Sequence, residues 1–302
     1  MIIIIGGPTA SGKSGLAVEV AKRLHTEVIS ADSMQIYRKM DVGTAKITAD
    51  EQQGVKHHLL DVIDPDKSFS VAQYAELAKE KIREIEKKNV PPVVCGGTGL
   101  YINALLYDYT MSSFDPKLRE SLQEECKTIG IDAMYEKLLS LDPMAEKIDK
   151  RNEKRVIRAL EVYLSEGRSI LDKSDKESTV PHLMFALDVP REELYERINR
   201  RVDEMFDNGL EEEVRNIVSS GISFDCQSMQ AIGYKEFKSY FAGEIDKNTL
   251  VELIKQHSRN YAKRQITWFK RIPTCIWLKY DEIDDNIAYI CNEYYKNISK
   301  LD

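Results

Sequence analysis

Residues 7–14, GPTASGKS, carry more chemistry than any other stretch of this 302-residue chain. Gly7, four spacers (Pro8, Thr9, Ala10, Ser11), then Gly12, Lys13 and Ser14 match the phosphate-binding pattern G-x-x-x-x-G-K-[ST]. The glycines let backbone N–H groups turn inward onto anionic oxygens. A helix starting near Lys13 adds the positive end of its dipole. Lys13 would reach a terminal phosphate, and the Ser14 hydroxyl would ligate Mg²⁺. ATP is the default occupant of such a loop. A second candidate, Asp32, closes the short apolar run EVISAD and is followed by Ser33, Met34 and Gln35. Position alone leaves two readings of Asp32: a helix N-cap shared with Ser33, or a functional carboxylate at the ligand-binding edge of a sheet. A third stretch, VVCGGTGLY, ends a strand in Cys95 and Gly96 and offers the Thr98 hydroxyl. The Asp with which phosphate-loop NTPases hold Mg²⁺ is missing there. A second glycine turn suits another close backbone approach to a diphosphate.

These groups need a frame to bring them together. The run IIII before Gly6 has the β-branched composition of a buried parallel strand. Leu16, Ala17, Val20, Ala21 and Leu24 then give a helical stripe. Residues 27–32 and 90–95 read as further strands, 41–46 (DVGTAK) as a glycine turn, and 70–88 as an amphipathic helix. Across 115–180 strand patterns vanish. Asp115 and Pro116 open one helix, with Leu118, Leu122, Cys126 and Ile129 as its stripe. A second helix over 151–164 carries Arg151, Lys154, Arg155 and Arg158 at helical spacing. Residues 182–189 restore a strand, 191–219 are helical with a break at Gly209, and 227–235 form a polar joint. Along 250–271 Lys255, Arg259, Lys263 and Lys270 share one arc, and Ile254, Tyr261, Trp268, Phe269 and Ile272 another. One acid stands against six bases there, so the arc reads as a phosphate-backbone track. A final helix is expected in 281–302. The predicted architecture is α/β: a phosphate-loop NTPase-like parallel sheet core (1–114 and 181–302) with a helical insertion domain (115–180).

Composition is that of an ordinary globular protein, 42% hydrophobic and 31% charged, with net charge −7. No window suggests a membrane span, and the apolar start is too short and lacks the basic leader of a signal peptide. Cys95, Cys126, Cys226, Cys275 and Cys291 are scattered, with no C-x-x-C pair. Reduced thiols in the cytoplasm are expected rather than disulfides or a zinc site. His57 and His58 are adjacent and cannot share one face, so packing or hydrogen bonding is expected of them.

Taken together, GPTASGKS at 7–14, ADSMQIYR at 31–38, DVGTAK at 41–46, HHLLD at 57–61 and GGTGLY at 96–101 resemble the tRNA dimethylallyltransferases. So do RVIRALEV at 155–162, AIGYKE at 231–236 and AKRQITWF at 262–269, in family order. Eukaryotic members carry a C-terminal Cys₂His₂ finger. These residues contain no such cluster, so the likeness is to the short bacterial form. The resemblance implies transfer of a dimethylallyl group from its diphosphate to N6 of the adenosine immediately 3′ of the anticodon. It implies Mg²⁺ as cofactor and a tRNA anticodon arm gripped between core and insertion. By position it makes Asp32 the general base, and it puts Arg201, Thr9, Ser11 and Thr98 near the diphosphate. Asp32, Ser33, Met34, Gln35 and Thr98 would meet the tRNA base, with Arg119, Arg155, Arg158, Lys255, Arg259 and Lys263 on the RNA. A monomer is expected. The alternative is a phosphate-loop kinase that uses ATP on a small molecule, with Asp32 as base toward a hydroxyl; the missing strand-end Asp and the basic helix weigh against it.

Overall fold

The computed structural model describes residues 1–107, 115–171, 178 and 180–299. The chain divides into two compact units, Met1–Leu106 with Val180–Asp302, and Tyr107–Thr179. The expected boundary at 114/115 and the last residues of the tail, 300–302, touch stretches outside the described residues.

The first unit is built on six parallel strands: β1 (Ile2–Gly6), β2 (Val28–Ser30), β3 (His57–His58), β4 (Val93–Gly96), β5 (His182–Asp188) and β6 (Cys275–Lys279), in the order β3-β2-β4-β1-β5-β6. β1 is central because all of its isoleucines are buried on both faces, Ile4 pairing with Val94 on one side and Met184 on the other. From β1 the chain moves left past β4 to β2, and after β4 it returns on the right as β5. The crevice outside the carboxyl ends of β1 and β4 is therefore the topological switch point where α/β sheets bind ligands. The loops 7–12, 31–35 and 97–98 all open at that edge.

The helices, in chain order, are α1 (Lys13–Arg23), α2 (Ala49–Gln52), α3 (Val71–Glu86), α4 (Gly99–Leu106), α5 (Pro116–Ile129), α6 (Ile131–Leu141), α7 (Glu153–Glu166), α8 (Arg191–Asp207), α9 (Leu210–Ser219), α10 (Phe237–Phe241), α11 (Lys247–Phe269) and α12 (Ile283–Ile298). Leu16 and Val20 of α1 and Leu24 at its C-cap pack with Ile290, Cys291 and Tyr294 of α12 against the sheet. Tyr74 and Tyr101 stack between α3 and α4 at 3.9 Å. Leu194 and Ile198 of α8 pack with Ala262 of α11. Gly209, at φ 89°, makes the expected break between α8 and α9. His57 and His58 form the short edge strand β3. His58 Nε2 pairs with Glu27 at 2.5 Å, and His57 Nδ1 with the Val55 carbonyl, the hydrogen-bonding role expected of them.

The second unit is helical among its described residues, with Leu122, Cys126, Met134, Leu138, Val156 and Leu160 at its centre. Asp115 caps α5 by accepting from the Lys117 and Leu118 amides. Two expectations change. Ile129 lies outside the stripe and is 47% exposed. Arg151 lies outside α7, whose cap is Asn152, and pairs with Asp149 instead.

Candidate active site

The loop after β1 bends through left-handed conformations at Ala10 (φ 61°) and Gly12 (φ 92°). It closes on Lys13, whose ammonium donates to the Pro8 carbonyl at 3.1 Å. Burial lowers the Lys13 pKa, the nearby Arg201 charge adds to this, and Cys95 and Asp32 oppose it. Ser11 is buried, and its hydroxyl has no hydrogen-bond partner among the described residues. An orphaned hydroxyl inside a turn of backbone amides fits an anion's oxygen.

Asp32 lies just beyond β2. Its Oδ1 accepts from the Met34 amide at 2.8 Å and the Gln35 amide at 3.4 Å, so the carboxylate caps its own loop rather than a helix. The helix N-cap reading of Asp32 is thus corrected to a loop cap, because no helix follows it, and this loop cap leaves the functional reading open. The two amides orient the group, and Oδ2 takes no hydrogen bond among the described residues. Thr98 Oγ1 accepts from the Ser33 amide at 3.1 Å, and its own amide donates to the Ala31 carbonyl at 3.2 Å. The loops after β2 and β4 are therefore knitted together. Cys95, its thiol pushed up to about 11 by burial, is a neutral core group.

The glycine turn after β4 differs from expectation. A Cβ at Gly96 would lie 2.3 Å from the Ala31 carbonyl oxygen, and one at Gly97 2.0 Å from Gln265 Nε2. The close approaches these glycines permit are to the protein's own backbone and to α11. Gln265, 5% exposed, accepts from the Thr9 amide at 2.8 Å and donates to the Gly97 carbonyl at 3.0 Å. It ties the phosphate loop to the glycine turn. Sequence reasoning passed over Gln265; the available signal was a polar residue four positions after Tyr261 and three before Trp268, inside the apolar arc of its helix.

Arg201 of α8 reaches into the same place. Its Nη1 donates to Thr9 Oγ1 at 3.3 Å and its Nη2 to the Ala45 carbonyl at 3.4 Å. Burial lowers its pKa, while Asp32, Glu51 and Glu204 oppose that. A cavity of about 300 Å³ opens here, lined among others by Thr9, Asp32, Met34, Arg201, Met205 and Tyr261. Ser33 and Arg264 also line it. Tyr261 hydrogen-bonds with Thr98 and Gln265, and burial beside the Asp32 charge pushes its hydroxyl up to about 12. It stays neutral beside Asp32. Gln35 turns its amide to the Thr44 and Ala45 carbonyls.

The basic residues expected on RNA meet different surroundings. Lys255 Nζ sits 2.8 Å from Asp203 and 3.3 Å from Glu252, its side chain 14% exposed. Arg259 donates to Asn199 Oδ1 at 2.5 Å. These two belong to the packing of α8 on α11, which corrects their reading as an open phosphate track. Lys263 and Lys270 are exposed. In the second unit, Arg119 and Arg158 both pair with the fully buried Glu161, at 2.6 and 2.7 Å. They neutralise a core carboxylate, a structural duty the sequence reading did not foresee. Arg155 is exposed.

A family model described as IPP transferase matches residues 35–272. The chain belongs to the IPP transferase family. A tRNA dimethylallyltransferase of Clostridioides difficile (strain 630) is 49% identical over 299 residues, covering 97% of this chain and 95% of the relative. A tRNA isopentenylpyrophosphate transferase of Bacillus halodurans has a crystal structure that superimposes with a TM-score of 0.76 at 42% identity, covering 99% of this chain and 98% of the other. A eukaryotic dimethylallyltransferase acting on tRNA gives a TM-score of 0.84 at 25% identity, over 98% of this chain and 79% of the other. The resemblance carried by the sequence blocks thus extends along nearly the whole chain, and with it the phosphate-loop-like α/β fold. The chain is an enzyme of the transferase class, and its relatives give no support to the small-molecule kinase alternative.

Proposed function

We propose that this chain transfers a dimethylallyl group from dimethylallyl diphosphate to N6 of the adenosine immediately 3′ of the anticodon in tRNA. The observation that carries the reading is one cavity with two kinds of wall: Thr9 and Arg201 at the phosphate loop, and Asp32 beside Met34. A cradle for a diphosphate and a free carboxylate oxygen face the same space.

The reaction breaks the allylic C–O bond and forms a C–N bond. Loop amides, Lys13 and the Arg201 guanidinium bind the diphosphate oxygens and stabilise the charge that grows as the leaving group departs. Ser11 offers its unpartnered hydroxyl to the same oxygens. The adenine amine is a poor nucleophile because its lone pair is delocalised. Asp32 Oδ2 accepts a hydrogen bond from N6–H, orients the amine, and takes the proton as the C–N bond forms. An ordinary carboxylate is a weak base, so this help comes mainly in the transition state, when the amine has become acidic. Thr98, fixed by the Ser33 amide, holds the Asp32 loop beside the reacting centre. Ser33 and Gln35 read the adenine edge, the base having been extruded from its loop. Met34, Met205 and Ile254 give the cavity apolar wall for the prenyl carbons and limit competing water.

The Ser14 hydroxyl, with diphosphate oxygens and water, suits Mg²⁺, which keeps several waters and takes few protein ligands; when bound it neutralises leaving-group charge. Lys263, Arg264 and, in the helical insertion, Arg155 are exposed and offer their charges to RNA phosphates. The protein works as a monomer in the cytoplasm. Mass analysis of tRNA after incubation with dimethylallyl diphosphate and Mg²⁺ tests the reading. One added isoprenoid unit per tRNA is expected; ATP turnover with unmodified tRNA would overturn it.

A further inference from the structure

Glu213 stands on α9, outside the cavity described above, and its carboxylate holds the turn at residues 41–43. Oε2 accepts from the amides of Asp41 and Val42, both at 2.8 Å, and Oε1 from the amide of Gly43 at 3.1 Å. The Tyr234 hydroxyl donates to the same Oε1 at 2.5 Å. Three successive backbone N–H groups wrapped on one carboxylate form an anion nest, which fixes the dihedrals of the turn. The Tyr234 ring lies against Gly43, where a Cβ would come within 2.5 Å of it, so no larger residue fits. Inside the turn Lys46 donates to the Tyr37 carbonyl and pairs with Asp41 and Asp61.

The turn presents one group to the site. Ala45, a non-glycine held at φ 45°, aims its carbonyl there. That oxygen accepts from Arg201 Nη2 at 3.4 Å and Gln35 Nε2 at 3.2 Å, and the Thr44 carbonyl also accepts from Gln35. A left-handed alanine persists only where its surroundings over-determine it. Here the Glu213 nest and Lys46 do so.

We infer that Glu213 is a positioning residue: through the nest at residues 41–43 it sets the Ala45 carbonyl, and thereby aims the Arg201 guanidinium at the diphosphate. Gln35 is anchored by the same carbonyl. The inference rests on the proposed transfer reaction, since it assigns Arg201 to the leaving diphosphate. Glu213 touches neither substrate and acts only through the turn. Removing its charge loosens the nest amides, and misplacement of a guanidinium by a fraction of an ångström weakens an interaction that depends on direction.

The test is a double-mutant cycle on the full chain with Glu213→Gln and Arg201→Lys. It reads kcat and KM for transfer and, separately, affinity for inorganic pyrophosphate by calorimetry. Glu213→Gln is expected to lower kcat and pyrophosphate affinity each by about tenfold, with KM for tRNA within about twofold of the parent. In the Arg201→Lys background the same substitution is expected to cost almost nothing more. Additive losses, or an unchanged kcat and pyrophosphate affinity, would overturn the inference. Should Glu213→Gln fail to fold, Tyr234→Phe removes one donor from the same carboxylate and is expected to give a smaller loss that also vanishes with Arg201→Lys. If the parent chain transfers nothing, the functional reading has failed, while the pyrophosphate arm still decides whether Glu213 acts through Arg201.

Discussion

Lys13 and Arg201 are half-buried cations that form no ion pair among the described residues, while Lys255, similarly enclosed, is held between Asp203 and Glu252. All three looked alike as candidate anion binders. The difference lies in what each was buried against. Lys13 and Arg201 lean on neutral oxygens, those of Pro8, Thr9 and Ala45, which leave their charge unspent. Lys255 is neutralised by its own fold, as are Arg119 and Arg158 by Glu161. A cation desolvated without a carboxylate is costly unless a ligand supplies the anion. Charge on a helix face is therefore a weak pointer to a ligand, and unpaired charge in a crevice a strong one.

The comparison can be broken most directly at its unpaired side. Lys13→Ala is expected to reduce kcat/KM for dimethylallyl diphosphate by roughly 10²–10³, because a charge aimed at the leaving group is removed; steady-state kinetics near the parent value would return the loop to a merely structural turn. Asp32→Asn is expected to lower turnover by about 10²–10⁴ while tRNA affinity stays within about twofold. Equal losses of binding and turnover would make Asp32 a loop cap and nothing more.

The lowered Lys13 pKa gives a pH signature. Lys13 serves as the cation, so raising the pH through its depressed pKa removes the charge. The kcat/KM for the donor, which reports free enzyme, should fall on the alkaline side at a pH below the ordinary lysine value of 10.5. In Lys13→Arg that limb should vanish. A limb unchanged in that variant would assign the titration elsewhere.

On the paired side the expected effects are smaller and of a different kind. Lys255→Gln should cost about 0.5–1 kcal/mol of stability and leave the salt dependence of tRNA binding unaltered. Lys263→Gln with Arg264→Gln should do the reverse, flattening the slope by about one unit for each phosphate no longer neutralised. A flattened slope in Lys255→Gln would restore that lysine to the RNA surface. The smallest effect is at the far sheet edge. Burial raises the Glu27 pKa, but Lys88 and His58 lower it further, so it ends below the ordinary carboxylate value. Its contribution to stability is present above that value and disappears as pH falls through the depressed pKa. Thermal melts of Glu27→Gln should show a shallower decline on acidification than the parent.

Much of the core was legible because its signals are local. Ile2 to Ile5 could only be a doubly buried strand, Gly7 to Ser14 only a loop feeding a helix, and Asp115 with Pro116 only a helix start. Each depends on residues within one turn or one strand. The glycines at 96 and 97 were rightly seen as a close approach but assigned to the wrong neighbour, since Ala31 and Gln265 arrive from 65 and 168 positions away. Gln265 and Glu213 went unread for the same reason. A buried glutamine or a nested carboxylate has no spacing rule of its own.

The sequence by itself determined the phosphate loop, the strand and helix types, the position of Asp32 at a strand end, and the family likeness, because these follow from periodicity and short motifs. Tertiary structure alone decided which cations stay unpaired, which loops meet Thr98 and Gln265, and which carbonyl holds Arg201. Those outcomes depend on which helix packs on which. A charge's partner comes from across the fold, and the chain's local pattern does not encode its distance.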